Sequence, residues 1–190
     1  MSNVQQAVAG ARRSIAYARK RPLPVALDRT LEVPELRELA VAISERAELW
    51  HHLRRYDAEQ RTYSHVLRND HVEAYLICWM DGHDTGFHDH DVSSGALAVV
   101  QGSVREDRLT IGGDPETKVL SAGQSRSFSA ADIHRVRHEG DEPAITIHTY
   151  SPPIQQMGQY EFEPGGTLKR HPRASGEELK PVGDELWVPA

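Results

Sequence analysis

The sequence predicts a domain with an all-β core that follows an N-terminal helical segment. In the first part of the chain, apolar residues recur at helical spacing. From residue 61 onward, apolar and polar residues alternate with the period of two that is typical of strands. Turn-forming residues then recur at intervals of roughly 8–12 residues, which is typical of a sandwich or barrel of short strands. We therefore expect one small β-barrel with α-helices at its N-terminus.

Length, charge and cysteine content narrow the class of protein. The chain has 190 residues, which suits one domain, and its net charge of -6 argues against binding to nucleic acid or anionic membranes. A single cysteine excludes an internal disulfide. No segment approaches the ~20 apolar residues of a membrane span, or the apolar core of a signal peptide. These features predict a soluble, cytoplasmic protein with no nucleic-acid or membrane partner.

Two helices are expected before the strands. Residues 3–20 carry one apolar stripe, and Pro22 ends that segment. Residues 34–54 carry a second stripe, and Pro34 suits a first helical turn. We expect residues 1–58 to form a helical cap that packs on the barrel.

Short strands are expected to follow the cap and to form a barrel over residues 59–165. The alternation, the β-branched and aromatic residues and the intervening turns place these strands at residues 61–68, 72–80, 88–90, 95–102, 103–111, 118–120, 124–128, 134–138, 144–150 and 159–163. Residues 166–190 are rich in proline, glycine and charge. We expect them to form a wrapped or partly disordered tail of the same structural domain.

His88 and His90 are the strongest candidates for a metal site. They lie two residues apart, so both imidazoles point to one face of a strand. His134, in another predicted strand, would lie across a small barrel and supply a third ligand. Three neutral imidazoles without a carboxylate leave a divalent ion its full charge and open positions, which favours anionic ligands such as thiolates. Weaker candidates are His138 on the same strand, His83 in a predicted turn, and the expected surface residues His51, His52, His71 and His171.

The segment GHDTGFHDHDVSSGALAVVQG, residues 82–102, resembles the first cupin motif, with Gly95 at the position of its glutamate. Among cupins, a first motif without this carboxylate resembles that of the cysteine dioxygenase family, the thiol dioxygenases. Further segments resemble this family in the same order. The family's strand and first motif are similar to LICWMDGHDTGFHDH, and its second motif is similar to IHRVRH. The family's His-x-Tyr-Ser-Pro-Pro signature is similar to HTYSPPI. The resemblance covers residues 60–155 and a helical N-terminus.

This resemblance implies a small cupin barrel, that is, a double-stranded β-helix or jelly roll, with N-terminal α-helices. It implies one Fe(II) per chain, bound by His88, His90 and His134. It also implies an iron-dependent thiol dioxygenase, which adds both atoms of O2 to the sulfur of a small thiol, cysteine or a related thiol, and gives a sulfinic acid. The implied partners are therefore a small thiol and O2.

Thr146, His148 and Tyr150 alternate along one predicted strand and can point to one face. They resemble the family's Ser-His-Tyr relay, with threonine in place of serine. A hydroxyl, an imidazole and a phenol can form a chain of hydrogen bonds, so we expect these residues to be catalytic. Animal members carry a cysteine that crosslinks to the tyrosine matching Tyr150. Gly95 stands at that position, so no such crosslink can form here.

The residue expected to bind the substrate carboxylate departs from the family pattern. The segment TYSHVL places His65 where family members carry arginine or glutamine, and Tyr63 would line the same face. An imidazole has one donor and is charged only at acidic pH, so His65 would hold a carboxylate less firmly than arginine. Alternatively, a distant arginine replaces the missing one, and the candidates are Arg68, Arg135 and Arg137.

Three functions stay open at this point. The first is a thiol dioxygenase, whose substrate is cysteine, a mercapto acid or a thiol-imidazole metabolite. The second is a cupin dioxygenase that acts on a non-thiol substrate such as a diketone. The third is a non-catalytic metal-binding cupin, although a hydrogen-bonded relay has no purpose in simple binding.

Overall fold

Two sheets with short helices outside them make up the part of the chain that is described by the computed structural model, residues 22–110, 112–163 and 167–183. The predicted helix over residues 3–20 lies outside the described residues. Among the residues described, none of the helices has the length and apolar character that crossing a membrane requires.

The predicted helix over residues 34–54 is divided into three pieces. Helix α1 spans Val33–Ser44, α2 spans Ala47–Trp50, and a 3-10 turn covers His51–Leu53. The backbone leaves the helical conformation at Arg46, with φ -114° and ψ 74°. This break lets the buried Trp50 fold back, and its indole Nε1 donates to the Ile43 carbonyl at 3.1 Å. Packing of a large aromatic ring thus overrides a continuous helical pattern.

All strand pairs in the two sheets are antiparallel. The strands are β1 Thr62–Arg68, β2 Glu73–Trp79, β3 His88–Asp89, β4 Ser94–Gln101, β5 Ser103–Thr110, β6 Gly113–Ser121, β7 Ser125–Phe128, β8 His134–Glu139, β9 Ala144–Ser151, β10 Gln156–Phe162 and β11 Leu168–Ala174. One sheet has the order β1-β2-β9-β4-β7, and the other has the order β11-β10-β3-β8-β5-β6. Each sheet combines strands that are distant in sequence. The expected all-β barrel with helices at its N-terminal side is confirmed.

The alternation of β9 separates the apolar core from the interior of the barrel. Ile145 and Ile147 are buried in the cluster that includes Leu36 and Ile43 of α1. His148 and Tyr150 point the other way and line an interior cavity. Helix α1 therefore covers the outer face of the first sheet, and the inner face of that sheet carries polar side chains of the cavity, His148 and Tyr150.

The C-terminal region differs from the expected tail. Residues 168–174 form β11, which pairs with β10 along its whole length. Arg170 of β11 also donates from Nε and Nη2 to the carboxylate of Asp89, at 2.7 and 2.9 Å. The expectation was a wrapped or partly disordered tail, but these contacts between residues far apart in sequence hold the segment in the second sheet, with β10 between it and the strand that carries His88.

Candidate functional site

Three buried imidazoles meet inside the barrel. One nitrogen from each of His88, His90 and His134 lies within 4.8 Å of the others, and the side chains are 4%, 2% and 1% exposed respectively. Strand pairing brings them together, since His88 on β3 lies opposite His134 on β8. His90 follows directly after the short β3. The grouping predicted for these histidines is therefore present.

The hydrogen bonds of two of the imidazoles set which nitrogen carries the proton. His88 Nδ1 lies 3.0 Å from the Gly86 carbonyl, and His134 Nδ1 lies 2.7 Å from the Glu106 carboxylate. Because both oxygens only accept, each Nδ1 carries the proton, and each Nε2 keeps its lone pair. His134 Nε2 and His90 Nδ1 are buried without a hydrogen-bond partner among the described residues.

These orphaned nitrogens fit a bound divalent metal ion. A buried polar atom without a partner is costly, and coordination to a metal removes that cost. Burial, followed by the proximity of other imidazoles, lowers the pKa of His88 and His90 well below the usual value, so both rings are neutral. Neutral imidazole is the form that binds metals.

The predicted relay is continuous from Thr146 to Tyr150. His148 Nε2 lies 3.0 Å from Thr146 Oγ1, and His148 Nδ1 lies 3.2 Å from the Tyr150 phenol oxygen. The row of hydrogen bonds has one member more than predicted, because the Trp79 indole Nε1 donates to Thr146 Oγ1 at 2.8 Å. The Tyr150 ring is 4.9 Å from the ring of His90, measured between centroids. The relay therefore ends beside the three histidines.

The Thr146 hydroxyl accepts from Trp79 and shares a second hydrogen bond with His148 Nε2. The other ring nitrogen, His148 Nδ1, shares a hydrogen bond with the phenol oxygen of Tyr150. A neutral His148 ring carries one proton, so it donates at one of these two contacts and accepts at the other. Burial lowers the pKa of His148 to about 3 and raises the pKa of Tyr150, so both groups are neutral near pH 7.

A cavity of about 90 Å³ opens beside these groups. Its lining includes Tyr75, Ile77 and Trp79 of β2, the three histidines, His148 and Tyr150 of the relay, Arg61 and Tyr63, and the C-terminal residues Ser175 and Glu177 to Leu179. The small volume favours a ligand with few heavy atoms. The C-terminal segment thus forms one wall of the cavity.

Comparison with known proteins identifies the family. The profile of the family described as cysteine dioxygenase type I matches residues 4–163. This chain belongs to the cysteine dioxygenase type I family. It is similar to the cysteine dioxygenase type 1 of Danio rerio, 26% identical over 150 residues, which are 72% of this chain and 73% of that protein. It is 28% identical to the cysteine dioxygenase type 1 of Homo sapiens over 109 residues, 51% of this chain and 53% of that protein.

Solved structures with a similar chain path cover about half of this chain. The protein TT1209 from Thermus thermophilus has 22% identity and a TM-score of 0.48, over 54% of this chain and 92% of its own. An uncharacterized conserved protein with a double-stranded β-helix domain from Klebsiella pneumoniae has 19% identity and a TM-score of 0.48, over 54% of this chain and 80% of its own.

In this member of the cysteine dioxygenase family, Arg61 is the basic residue of the cavity, and the sequence analysis missed it. Its side chain is 8% exposed, and its guanidinium carbon lies 5.3 Å from the centre of the Trp79 ring. The guanidinium donates to the main-chain oxygens of Asp84 and Leu179, which are uncharged. One signal pointed to it, because Arg61, Tyr63 and His65 follow each other at intervals of two.

The structure corrects the position expected for His65. Its side chain is 42% exposed, and it does not line the cavity. Its ring packs on Tyr75, with 4.3 Å between centroids, and the Tyr75 ring in turn lies 6.2 Å from Tyr150. Tyr75 therefore stands between His65 and the relay. Tyr63 does line the cavity, and its phenol donates to the Gly176 carbonyl at 3.2 Å.

The alternative basic residues also lie away from the cavity walls. Arg68 is half exposed and pairs with the buried Glu73 at 3.7 Å. Arg135 pairs with Asp84, and Arg137 pairs with Asp107 at 2.9 Å. The weaker metal candidate His138 lies 2.8 Å from the Glu142 carbonyl, outside the histidine cluster.

Gly95 lies directly opposite Tyr150 in the pairing of β4 with β9. A Cβ atom built at Gly95 would lie 2.4 Å from the ring atoms Cε2 and Cζ of Phe128, and 2.8 Å from the Thr149 carbonyl oxygen. Phe128 occupies the space that a side chain at this position would need. The structure therefore has no room for a larger side chain at the position of Gly95.

Proposed function

We propose that this protein is an iron-dependent thiol dioxygenase, which adds both atoms of O2 to the sulfur of a small thiol and gives a sulfinic acid. The observation that carries the proposal is the meeting of three buried imidazoles with the end of the Thr146-His148-Tyr150 relay at one cavity. Membership of the cysteine dioxygenase type I family supports it.

His88, His90 and His134 would hold one Fe(II) ion. The chemistry that iron supplies when bound is the activation of O2 next to a thiolate, for which a neutral ligand set leaves both charge and open positions. The protein's part is to keep the rings of His88 and His90 neutral by burial, which lowers their pKa, and to fix His88 and His134 through their Nδ1 hydrogen bonds. The apolar walls of the cavity exclude water from the same place.

Tyr150 would act as the hydrogen-bond donor to the reacting groups. In this proposal His148 Nδ1, 3.2 Å away, donates to the phenol oxygen, which would leave the phenol proton for a thiolate or an oxygen atom in the cavity. Burial keeps the pKa of Tyr150 raised, so the phenol stays protonated. Trp79 and Thr146 act one step away, since their hydrogen bonds hold the His148 ring in place.

Arg61 would bind an anionic group of the substrate. A guanidinium has five N–H donors, and the Arg61 side chain, which lines the cavity, donates to two main-chain carbonyls. A carboxylate suits this fork geometry. We therefore propose a small carboxylated thiol, cysteine or a mercapto acid, as the substrate.

The test is O2 uptake by the iron-loaded protein across a panel of small thiols, with sulfinic acid products identified by mass spectrometry. The panel pairs thiols with and without a carboxylate. His134→Ala should lose iron and activity together, and Tyr150→Phe should keep iron but lose most of the turnover. Iron-dependent uptake that ignores every thiol would point to a non-thiol substrate, and bound iron without uptake would point to a binding protein.

A further inference from the structure

A buried carboxylate lies behind the third histidine of the cluster. Glu106 on β5 is fully buried, and its Oε1 accepts from His134 Nδ1 at 2.7 Å. Strand pairing fixes the approach, because β5 runs antiparallel to β8 and carries Glu106 beside the strand of His134. Both side chains are almost completely shielded from water, at 0% and 1% exposure.

Two arginines compensate the charge of this carboxylate. Arg126 Nε lies 2.9 Å from Oε2 of Glu106, and Arg108 Nη2 lies 3.2 Å from Oε1. A buried carboxylate without partners would be strongly unfavourable, whereas one held by two guanidinium groups stays charged. The sequence analysis predicts a strand over residues 103–111, and the structure shows that Glu106 within this strand is buried.

We propose that Glu106 is a positioning residue for His134. Its carboxylate holds the proton on Nδ1 and so directs the Nε2 lone pair towards the other two imidazoles. Arg126 and Arg108 in turn hold the carboxylate in place. The inference deepens the proposed function, because it rests on His134 being a metal ligand.

The substitution Glu106→Gln separates charge from shape. If the amide oxygen stays towards His134, the NH2 group takes the place of Oε2, which lies 2.9 Å from Arg126 Nε, so the ion pair with Arg126 is lost. If the amide is reversed, the NH2 group faces the Nδ1 proton of His134. Either orientation weakens the support of His134, and loss of an outer partner of this kind typically costs about 10–100-fold in metal affinity.

Glu116→Gln is the matched control. Glu116 also pairs with Arg126, at 2.6 Å, but its side chain is 60% exposed. Fe(II) affinity is measured anaerobically by competition with a chelator. We expect a loss of about 10–100-fold for Glu106→Gln and less than about 2-fold for Glu116→Gln. Unchanged affinity of Glu106→Gln, or an equal loss in both variants, would overturn the proposal.

A second measurement needs no variant. In the metal-free wild-type protein, long-range 1H–15N NMR should find a proton on Nδ1 of His134. A ring that carries a proton on Nε2 and none on Nδ1 would overturn the role of Glu106 even if the protein binds iron. Should the wild-type protein bind no iron, the proposed function fails, while the NMR result still decides whether Glu106 sets the state of His134.

Discussion

Replacing Gly95 by alanine should destabilise the protein through one steric conflict. The new Cβ would lie 2.4 Å from two ring atoms of Phe128 and 2.8 Å from the Thr149 carbonyl oxygen, both far inside normal contact distance. Phe128 cannot move freely, because it is fully buried and packs on His90 at 4.9 Å and on His134 at 4.5 Å between ring centroids.

Overpacking of a core typically costs about 1–3 kcal/mol. We expect the upper part of that range, roughly 2–3 kcal/mol, because one of the contacts is with backbone that cannot rotate away. The free energy of unfolding is measured by denaturant titration of metal-free protein. The control is Gly176→Ala, where a Cβ meets nothing within 4 Å, and the change should stay within about 0.5 kcal/mol.

A double-mutant cycle identifies the partner. Phe128→Leu removes the two ring atoms that collide, so Gly95→Ala should cost about 1 kcal/mol less in that background than in the wild type. Equal stability of Gly95→Ala and the wild type would refute the steric argument. An identical cost in both backgrounds would show that Phe128 is not the obstacle.

The remaining predictions concern the cavity and its titration. Arg61→Met should lower kcat/KM for a carboxylated thiol by roughly 10–100-fold, mainly through a higher KM. The control Arg68→Met, at the other end of β1, should change kcat/KM less than about 2-fold. Equal effects of the two substitutions would show that Arg61 does not bind the substrate. His65→Arg should leave the order of preference among thiols unchanged, since the side chain lies behind Tyr75, and a gain for cysteine in the O2-uptake assay would contradict this. The pKa of His148 is lowered by burial from 6.5 to about 3. Because His148 has the lower pKa in the folded state, the unfolded state takes up the proton first as the pH is lowered. The free energy of unfolding is therefore highest above pH 6.5 and should decrease by about 2 kcal/mol from pH 7 to pH 5 on account of His148. Denaturant titrations of metal-free His148→Gln should show a correspondingly shallower pH dependence, and an equal slope would contradict the assignment.

Much of the candidate site could be predicted because its spacing is local. On a strand, residues two apart share a face whatever the rest of the chain does, and this places Thr146, His148 and Tyr150 in one row. The same rule predicts that Arg61, Tyr63 and His65 share a face. It does not say which of the three reaches the cavity, because that depends on how β1 registers against β2.

Two of the contacts that the sequence analysis missed join residues that are distant in the chain. Trp79 reaches Thr146 across paired strands, and the C-terminal wall is held by Arg170 on Asp89. The break of the second helix depends on where Trp50 finds space in the core. No local pattern carries this information, because each contact depends on the packing of several elements at once.

By itself, the sequence predicted the all-β class, the His88–His90 pair and the row ending at Tyr150, since these follow from short-range periodicity and motif spacing, and it offered His134 on another predicted strand as the third histidine. Only the tertiary structure decided that Arg61 rather than His65 faces the cavity, that Glu106 lies behind His134, and that residues 168–174 complete the second sheet. The physical reason is that strand register and burial are properties of the packed molecule, so a charged residue that looks solvated in the sequence can be enclosed by its distant partners.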